Sequence, residues 1–346
     1  MRSFHSIIIS CSILLAGFSS CAQNAKSNYK IAHKFSVEGD AGWDYVAIDE
    51  ASARLFISHG NITQVIDATT GKLLNTIPDT KGVHGIALDA DENKAFISNG
   101  KDTSVTIVNL TTLRFIARVK VSGMNPDAIL YDNFSHRVFV YNGRTSNATV
   151  IDAKTNEVIA SIPLEGKPEY SVSDGNGKVY VNIEDKSLMV VIDATTLKVI
   201  NSWSIAPGSE PSGLAIDNLN HRLFAVCDNK MMVVMNAVNG SVLTTLPIGE
   251  HVDGCAFDPE LKRAYSSNGD GTITVVQEEN PNKFLVLENI TTQKGARTIC
   301  VDTKTHHLYL PTATYGEKPA ATADNTHPRA GVIAGSFVIL DVSLVK

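Results

Sequence analysis

One short pattern recurs seven times along this chain: an apolar strand ending in Asp, a hairpin, then a second apolar strand. It reads YVAIDEASARLFIS from Tyr45, GIALDADENKAFIS from Gly85, AILYDNFSHRVFVY from Ala128 and YSVSDGNGKVYVN from Tyr170. It returns as GLAIDNLNHRLFAV from Gly213, GCAFDPELKRAYSS from Gly254 and TICVDTKTHHLYLP from Thr298. Anchored on Asp49, Asp89, Asp132, Asp174, Asp217, Asp258 and Asp302, successive units lie 40 to 44 residues apart. Each of the first six continues into a third strand, such as VIDATTGK from Val65 or VIDAKTNE from Val150, and a fourth, such as LLNTI from Leu73. The strands are short and β-branched, the turns are rich in Asp, Asn, Gly and Thr, and sustained helical periodicity is absent. Four short strands per forty-odd residues predict an all-β, seven-bladed β-propeller with four antiparallel strands per blade.

The seventh unit lacks a fourth strand after FVILDV from Phe337. Residues 29–37, YKIAHKFSV, read like the fourth strands elsewhere. They are expected to complete the last blade and close the ring, which removes exposed sheet edges.

The units VYVNIEDKSLMVVIDATTLKVI and AFISNGKDTSVTIVNLTTLRFI carry the Tyr-Val-x-Asn and Val-Ile-Asp-x-x-Thr elements of the YVTN repeat. Over roughly residues 29–346 the chain resembles the bacterial YncE-like YVTN propeller family. That resemblance implies an exported seven-bladed propeller and is weak for activity. Blade six departs from the pattern, with Gln277-Glu278-Glu279 in place of the Ile-Asp-x turn.

The N-terminus reads as an address. A short polar stretch with Arg2 and His5 precedes the apolar run Ile7 to Phe18, of signal-peptide length. Ser19-Ser20-Cys21 resembles a lipobox in which Cys21 is lipidated; alternatively, Ser20 and Ala22 fit ordinary cleavage before Gln23. Either way residues 1–22 are a leader, residues 23–346 form one propeller domain, and the protein is exported to the periplasm or, lipidated, to the outer membrane. Contact with a membrane is expected only through that lipid. Past the leader no apolar run is long enough to span a bilayer.

Composition narrows the partners. With 43% hydrophobic and 19% charged residues the chain is an ordinary globular mix. A formal charge of −6 argues against nucleic acid, although the family resemblance raises it. Of the five cysteines, Cys227, Cys255 and Cys300 lie beyond the leader and none stands in a C-x-x-C pair. This speaks against a disulfide framework or a structural zinc site. A closed ring needs no second subunit to fold, so a monomer is expected.

Departures from the repeat point to a site, because packing residues recur while functional ones are free to differ. Five residues before each anchor stand Asp44, His84, Asp127, Glu169, Ser212, Asp253 and Arg297. All start an innermost strand, so they are expected to ring one mouth of the central channel. Ten residues after most anchors, at the end of the second strand, stand His59, Asn99, Asn142, Cys227, Asn268 and Thr312, expected as a second polar ring at the same mouth; in blade four, whose hairpin is one residue shorter, Ile183 takes this place, flanked by Asn182 and Glu184. Asp127 and Asp253 also suit plain turn capping. Between strands two and three of blade seven, residues 312–335 form an insertion from which Tyr315, His327 and Arg329 could reach the mouth. It reads as a cover or as a disordered loop.

Two functions survive. One is a module that binds a small polar or anionic ligand, or a protein partner, at the mouth, with Arg297 as anion anchor. The other is an enzyme of lactonase, lyase or hydrolase type at the same mouth. There His84 or His59 would be the base, Glu169 or Asp44 a second acid–base group, and a divalent metal on His59, His84 and Asp44 an optional cofactor. Relatives of this fold suggest redox work with a haem or quinone partner only distantly. A solvated funnel without a ligand is the bland alternative.

Overall fold

The computed structural model describes residues 28–39, 42–320 and 330–345. The leader, Cys21, His327 and Arg329 lie outside the described residues. The described strands form seven four-stranded antiparallel sheets. In six of them the strands follow in chain order, from Trp43–Asp49, Arg54–His59, Ile62–Asp67 and Leu73–Ile77 in blade one to Val252–Asp258 through Lys283–Thr291 in blade six. Among the described residues the helical content is one 3₁₀ turn, Glu184–Lys186, and no helix is long and apolar enough to cross a membrane.

The seventh blade closes the ring as its incomplete repeat predicts. Its sheet runs Cys300–Asp302, His307–Thr312, Val338–Leu344 and, outermost, Tyr29–Ser36 from the other end of the chain. The closing pair runs from Tyr29 opposite Leu344 to Ser36 opposite Val338. His33 and His307 flank the buried Asp341 carboxylate in this sheet, with Nδ1 atoms 2.9 and 2.6 Å from its two oxygens. The innermost strands touch their neighbours all around the ring, blade seven against blade one included.

Each blade is buried on both faces, which is why the second strands read as unbroken apolar runs such as Leu55-Phe56-Ile57. Seven hydrophobic clusters result, one per junction between neighbouring blades. A basic residue at the start of the second strand staples one blade to the next. Arg54 donates to the carbonyls of Leu110 and Thr111, Lys94 to those of Ala153 and Lys154, and Arg137 to those of Ala194 and Thr195. The recurring Ile-Asp-x-x-Thr is a turn device: Asp67 accepts from the backbone N–H groups of Thr69 and Thr70 at 3.0 and 2.7 Å. Asp193 does the same for Thr195 and Thr196.

Candidate functional site

In six blades the ladder between the first and second strands slips just where the first strand begins, for example between Trp43 and Val46 or Val252 and Gly254. A bulge lifts a residue out of the ladder and re-aims its side chain. The residue five before the anchor is lifted in all six, alone in blade six and together with the residue after it in the other five. Its backbone is then fixed by the neighbouring blade. Ser98 donates to the Asp127 carbonyl at 2.5 Å, Asn182 to that of Ser212 at 2.9 Å, and Thr298 to that of Asp44 at 2.6 Å. Ser267 holds the Arg297 carbonyl in the same way.

The result is a cup of about 490 Å³ at one mouth of the channel. Asp44, Asp127, Glu169, Ser212, Asp253 and Arg297 line it, as expected of the first polar ring. His84 stands behind them, its Nδ1 2.7 Å from Asp44 Oδ2 and 3.6 Å from Asp127 Oδ1. Its other edge lies against Gly100, where a Cβ would fall 2.7 Å from Nε2. Four further charged groups in the wall were not singled out from the sequence as site residues: Lys167, Glu184, Glu210 and Asp228. Glu184 and Asp228 each directly follow the end of a second strand, a position at which two blades carry an acid. Lys167 contacts both Glu169 and Glu184.

Among the described residues seven carboxylates thus face two cationic side chains around one small volume. Arg297 is already engaged: its Nε lies 2.7 Å from Asp253 Oδ2 and its Nη2 3.6 Å from Asp44 Oδ1. Although the first distance is short, no hydrogen bond satisfies Nε. We read the contact as an ion pair whose N–H is not directed at the oxygen. A guanidinium so neutralised is a poor anchor for a ligand anion.

The carboxylates bear the cost of this crowding. Burial, then the charge of Asp127, pushes Glu169 up to about 8 against the pull of Lys167. Burial pushes Asp253 up to about 7; Arg297 opposes the shift while Asp44 and Asp127 add to it. Asp127 rises to about 6 through burial, with His84 opposing and Asp44 reinforcing. Burial alone would lower His84, but its hydrogen bond to Asp44 and the charge of Asp127 outweigh burial and hold it above its usual value.

Below the cup the channel is plugged. The rings of Tyr45 and Tyr170, from blades one and four, lie 5.5 Å apart. Beneath them is a smaller space of about 210 Å³ walled by Val46, Ile48, Ile86, Ile129 and Cys300.

The second polar ring is not at the mouth. Asn99, Asn142 and Asn268 are fully buried and donate into the third strand of their own blade: Asn99 to Ser104 and Thr106, Asn142 to Thr149, Asn268 to Thr272 and Thr274. Asn182 is equally buried and serves as the clamp on Ser212 already described. His59 is 1% exposed, bonded through Nδ1 to Gln64 at 2.7 Å and packed on Phe337 with ring centres 4.3 Å apart. The reason is geometric. The second strand lies one inter-strand spacing, about 4.8 Å, further from the channel axis, and the bulged first strand covers its end. Expecting these residues at the mouth was therefore wrong, and His59 does not join His84 and Asp44. Among the described residues the trio that could hold a divalent ion is Asp44, His84 and Asp127, whose ligand atoms lie within 4.8 Å of one another. Cys227, Cys255 and Cys300 are free thiols.

Tyr315 stands apart from the cup, in the first arm of the insertion. That arm pairs back on the second: Tyr315 bridges to Val332, and Gly316 N–H donates to the Gly331 carbonyl at 2.8 Å.

No family model and no curated protein matches the sequence. Solved structures do. Hydrazine synthase of Kuenenia stuttgartiensis superposes with a TM-score of 0.69 at 16% identity, over 87% of this chain and 98% of that one. A structure titled U3-55K gives 0.73 at 8% identity, over 91% and 99%. The WD40 repeats of RRP9 give 0.74 at 8% identity, over 92% and 99%. At these identities the likeness is one of fold, and it places the chain among seven-bladed β-propellers.

Proposed function

We propose that this propeller is a binding module whose ligand presents a positive charge to the acidic cup. The observation that carries this reading is the charge imbalance of the cup, where among the described residues seven carboxylates stand against Lys167 and Arg297. Carboxylates held neutral or crowded in a desolvated site are relieved by an incoming cation. The fitting occupant is a compact ammonium or guanidinium group, free or on a partner's side chain. This replaces the anionic ligand expected from Arg297 alone. A divalent ion on Asp44, His84 and Asp127 is a second reading, supported by the mutual reach of their ligand atoms.

The enzyme reading has less support. A general base needs a free nitrogen facing the substrate. His84 uses Nδ1 on Asp44 and turns Nε2 toward Gly100. The YVTN-like repeat and the apolar leader support an exported, YncE-like protein, lipidated at Cys21 or cleaved before Gln23.

The test is calorimetric titration with argininamide and, separately, with zinc chloride. Binding of argininamide that weakens at least tenfold in Asp127→Asn supports the cup. Zinc binding lost in both His84→Ala and Asp127→Asn supports the metal reading. Absence of both contradicts the proposal.

A further inference from the structure

Across Arg297 from the cup lies a second cavity, of about 900 Å³. One wall is the loop carrying Gln293, Lys294 and Gly295, and the other is the first arm of the blade-seven insertion. Two backbone hydrogen bonds at 2.8 Å, Gly316 to Gly331 and Ile333 to Thr314, fix that arm. Tyr315 is seated by Gly295, whose φ of +86° and missing side chain let the ring lie where a Cβ would come within 2.6 Å. On its other side Tyr315 faces Trp43, ring centres 6.1 Å apart.

The charge of this cavity is the reverse of the cup's. Lys294, Lys318 and His251 line it beside the ion-paired Arg297, and among the described residues no carboxylate does. Among the described residues neither Lys294 nor Lys318 has a carboxylate partner. Between these cations the surface is apolar, formed by Tyr315, Ala313 and Ala330. Its volume falls in the range of small-molecule pockets, roughly 300–1,000 Å³, and its make-up is theirs: an apolar body with a few convergent charged groups. Uncompensated cations beside apolar surface attract a molecule carrying a negative group on an apolar frame.

We propose that this cavity is a second binding site, for an amphipathic organic anion, with its apolar body against Tyr315 and its anionic group toward Lys294 and Lys318. It does not depend on what the cup binds, since among the described residues the two cavities share only Arg297 in their walls.

The test uses 2-naphthoate as probe, with 2-naphthalenemethanol as its neutral counterpart, followed by calorimetry or by probe fluorescence on the full chain. The site predicts that naphthoate binds at least tenfold tighter than the alcohol. Lys294→Glu and Lys318→Glu, both surface changes that keep the thermal midpoint, should each weaken naphthoate at least fivefold, and Asp127→Asn in the cup should leave it unchanged. Equal binding of acid and alcohol, full affinity in both lysine variants, or loss of binding in Asp127→Asn would each overturn the proposal, the last by moving the anion into the cup. Failure of argininamide to bind the cup would leave this result unaffected, so the two proposals fail separately.

Discussion

Tyr45 and Tyr170 meet ring to ring, 5.5 Å apart, across a channel that their blades face from opposite sides. Their contact turns a pore into a cup with a floor, and leaves Cys300 in the space below. Burial holds the Tyr45 hydroxyl well above its usual pKa, so the floor is uncharged beneath a charged rim. Tyr45→Ala should open the floor at a cost of about 2–4 kcal/mol. The measurement is the urea midpoint, which should fall in the variant by the equivalent of that cost. An unchanged midpoint would mean that the ring contact does not hold the channel floor.

Ring closure rests on the strand Tyr29–Ser36 and on the pair of histidines around Asp341. Deleting residues 29–37 should lower the thermal midpoint of the whole domain, since every blade is held by its neighbours. A deletion variant melting like the parent would show that the ring does not need this strand.

The latch also has a pH sense. The hydrogen bond to Asp341, opposed in part by burial, raises His307 above its usual pKa. A raised histidine stabilises fully below its unfolded pKa, and that contribution disappears as pH rises through the folded value. His307→Gln should therefore lose about 1 kcal/mol at pH 5 and much less at pH 9, read from urea midpoints. An equal loss at both would assign the effect to packing.

Glu278 stands where four other blades place a buried Ala, namely Ala68, Ala153, Ala194 and Ala237, as their common backbone bonds show. Burial, then the nearby charge of Asp217, pushes Glu278 up to about 7, and its Oε2 has no partner. The folded carboxyl keeps a proton that the unfolded chain releases above about 4.5. Stability is then lost as pH rises between those values. Glu278→Ala should raise stability at pH 8 by about 1 kcal/mol and give no gain at pH 4. A loss at pH 8 would show that the bond from Asn220 outweighs the buried charge.

Much of this architecture was legible because repetition exposes it. The seven Asp anchors reveal the blades, and the missing fourth strand after Phe337 reveals the closure by residues 29–37. The first polar ring was legible for the opposite reason: Asp44, His84, Glu169 and Arg297 break a pattern that packing would preserve. The second ring misled because Asn99, Asn142 and Asn268 do recur, as structural clamps should, yet their polarity suggested exposure. What placed them was the bulge in the first strand, a backbone irregularity with no residue signature here. The clamp on Ser212 by Asn182 was hidden by a hairpin one residue shorter, which shifts Asn182 into the place of Ser58, Ser98 and Ser267. Lys167 and Glu210 lie in loops before their strands, where nothing repeats to mark them.

The cup, as proposed, is a proton-coupled cation site. Glu169 and Asp253, raised to about 8 and 7, hold protons near pH 7 that an incoming cation would displace. The direct measurement is argininamide titration near pH 7 in two buffers of different ionisation enthalpy, with the parent and with Asp127→Asn/Glu169→Gln. The account predicts net proton release on binding, affinity that rises with pH toward 8, and at least tenfold weaker binding in the double variant. Binding without proton release, or undiminished in that variant, would contradict it.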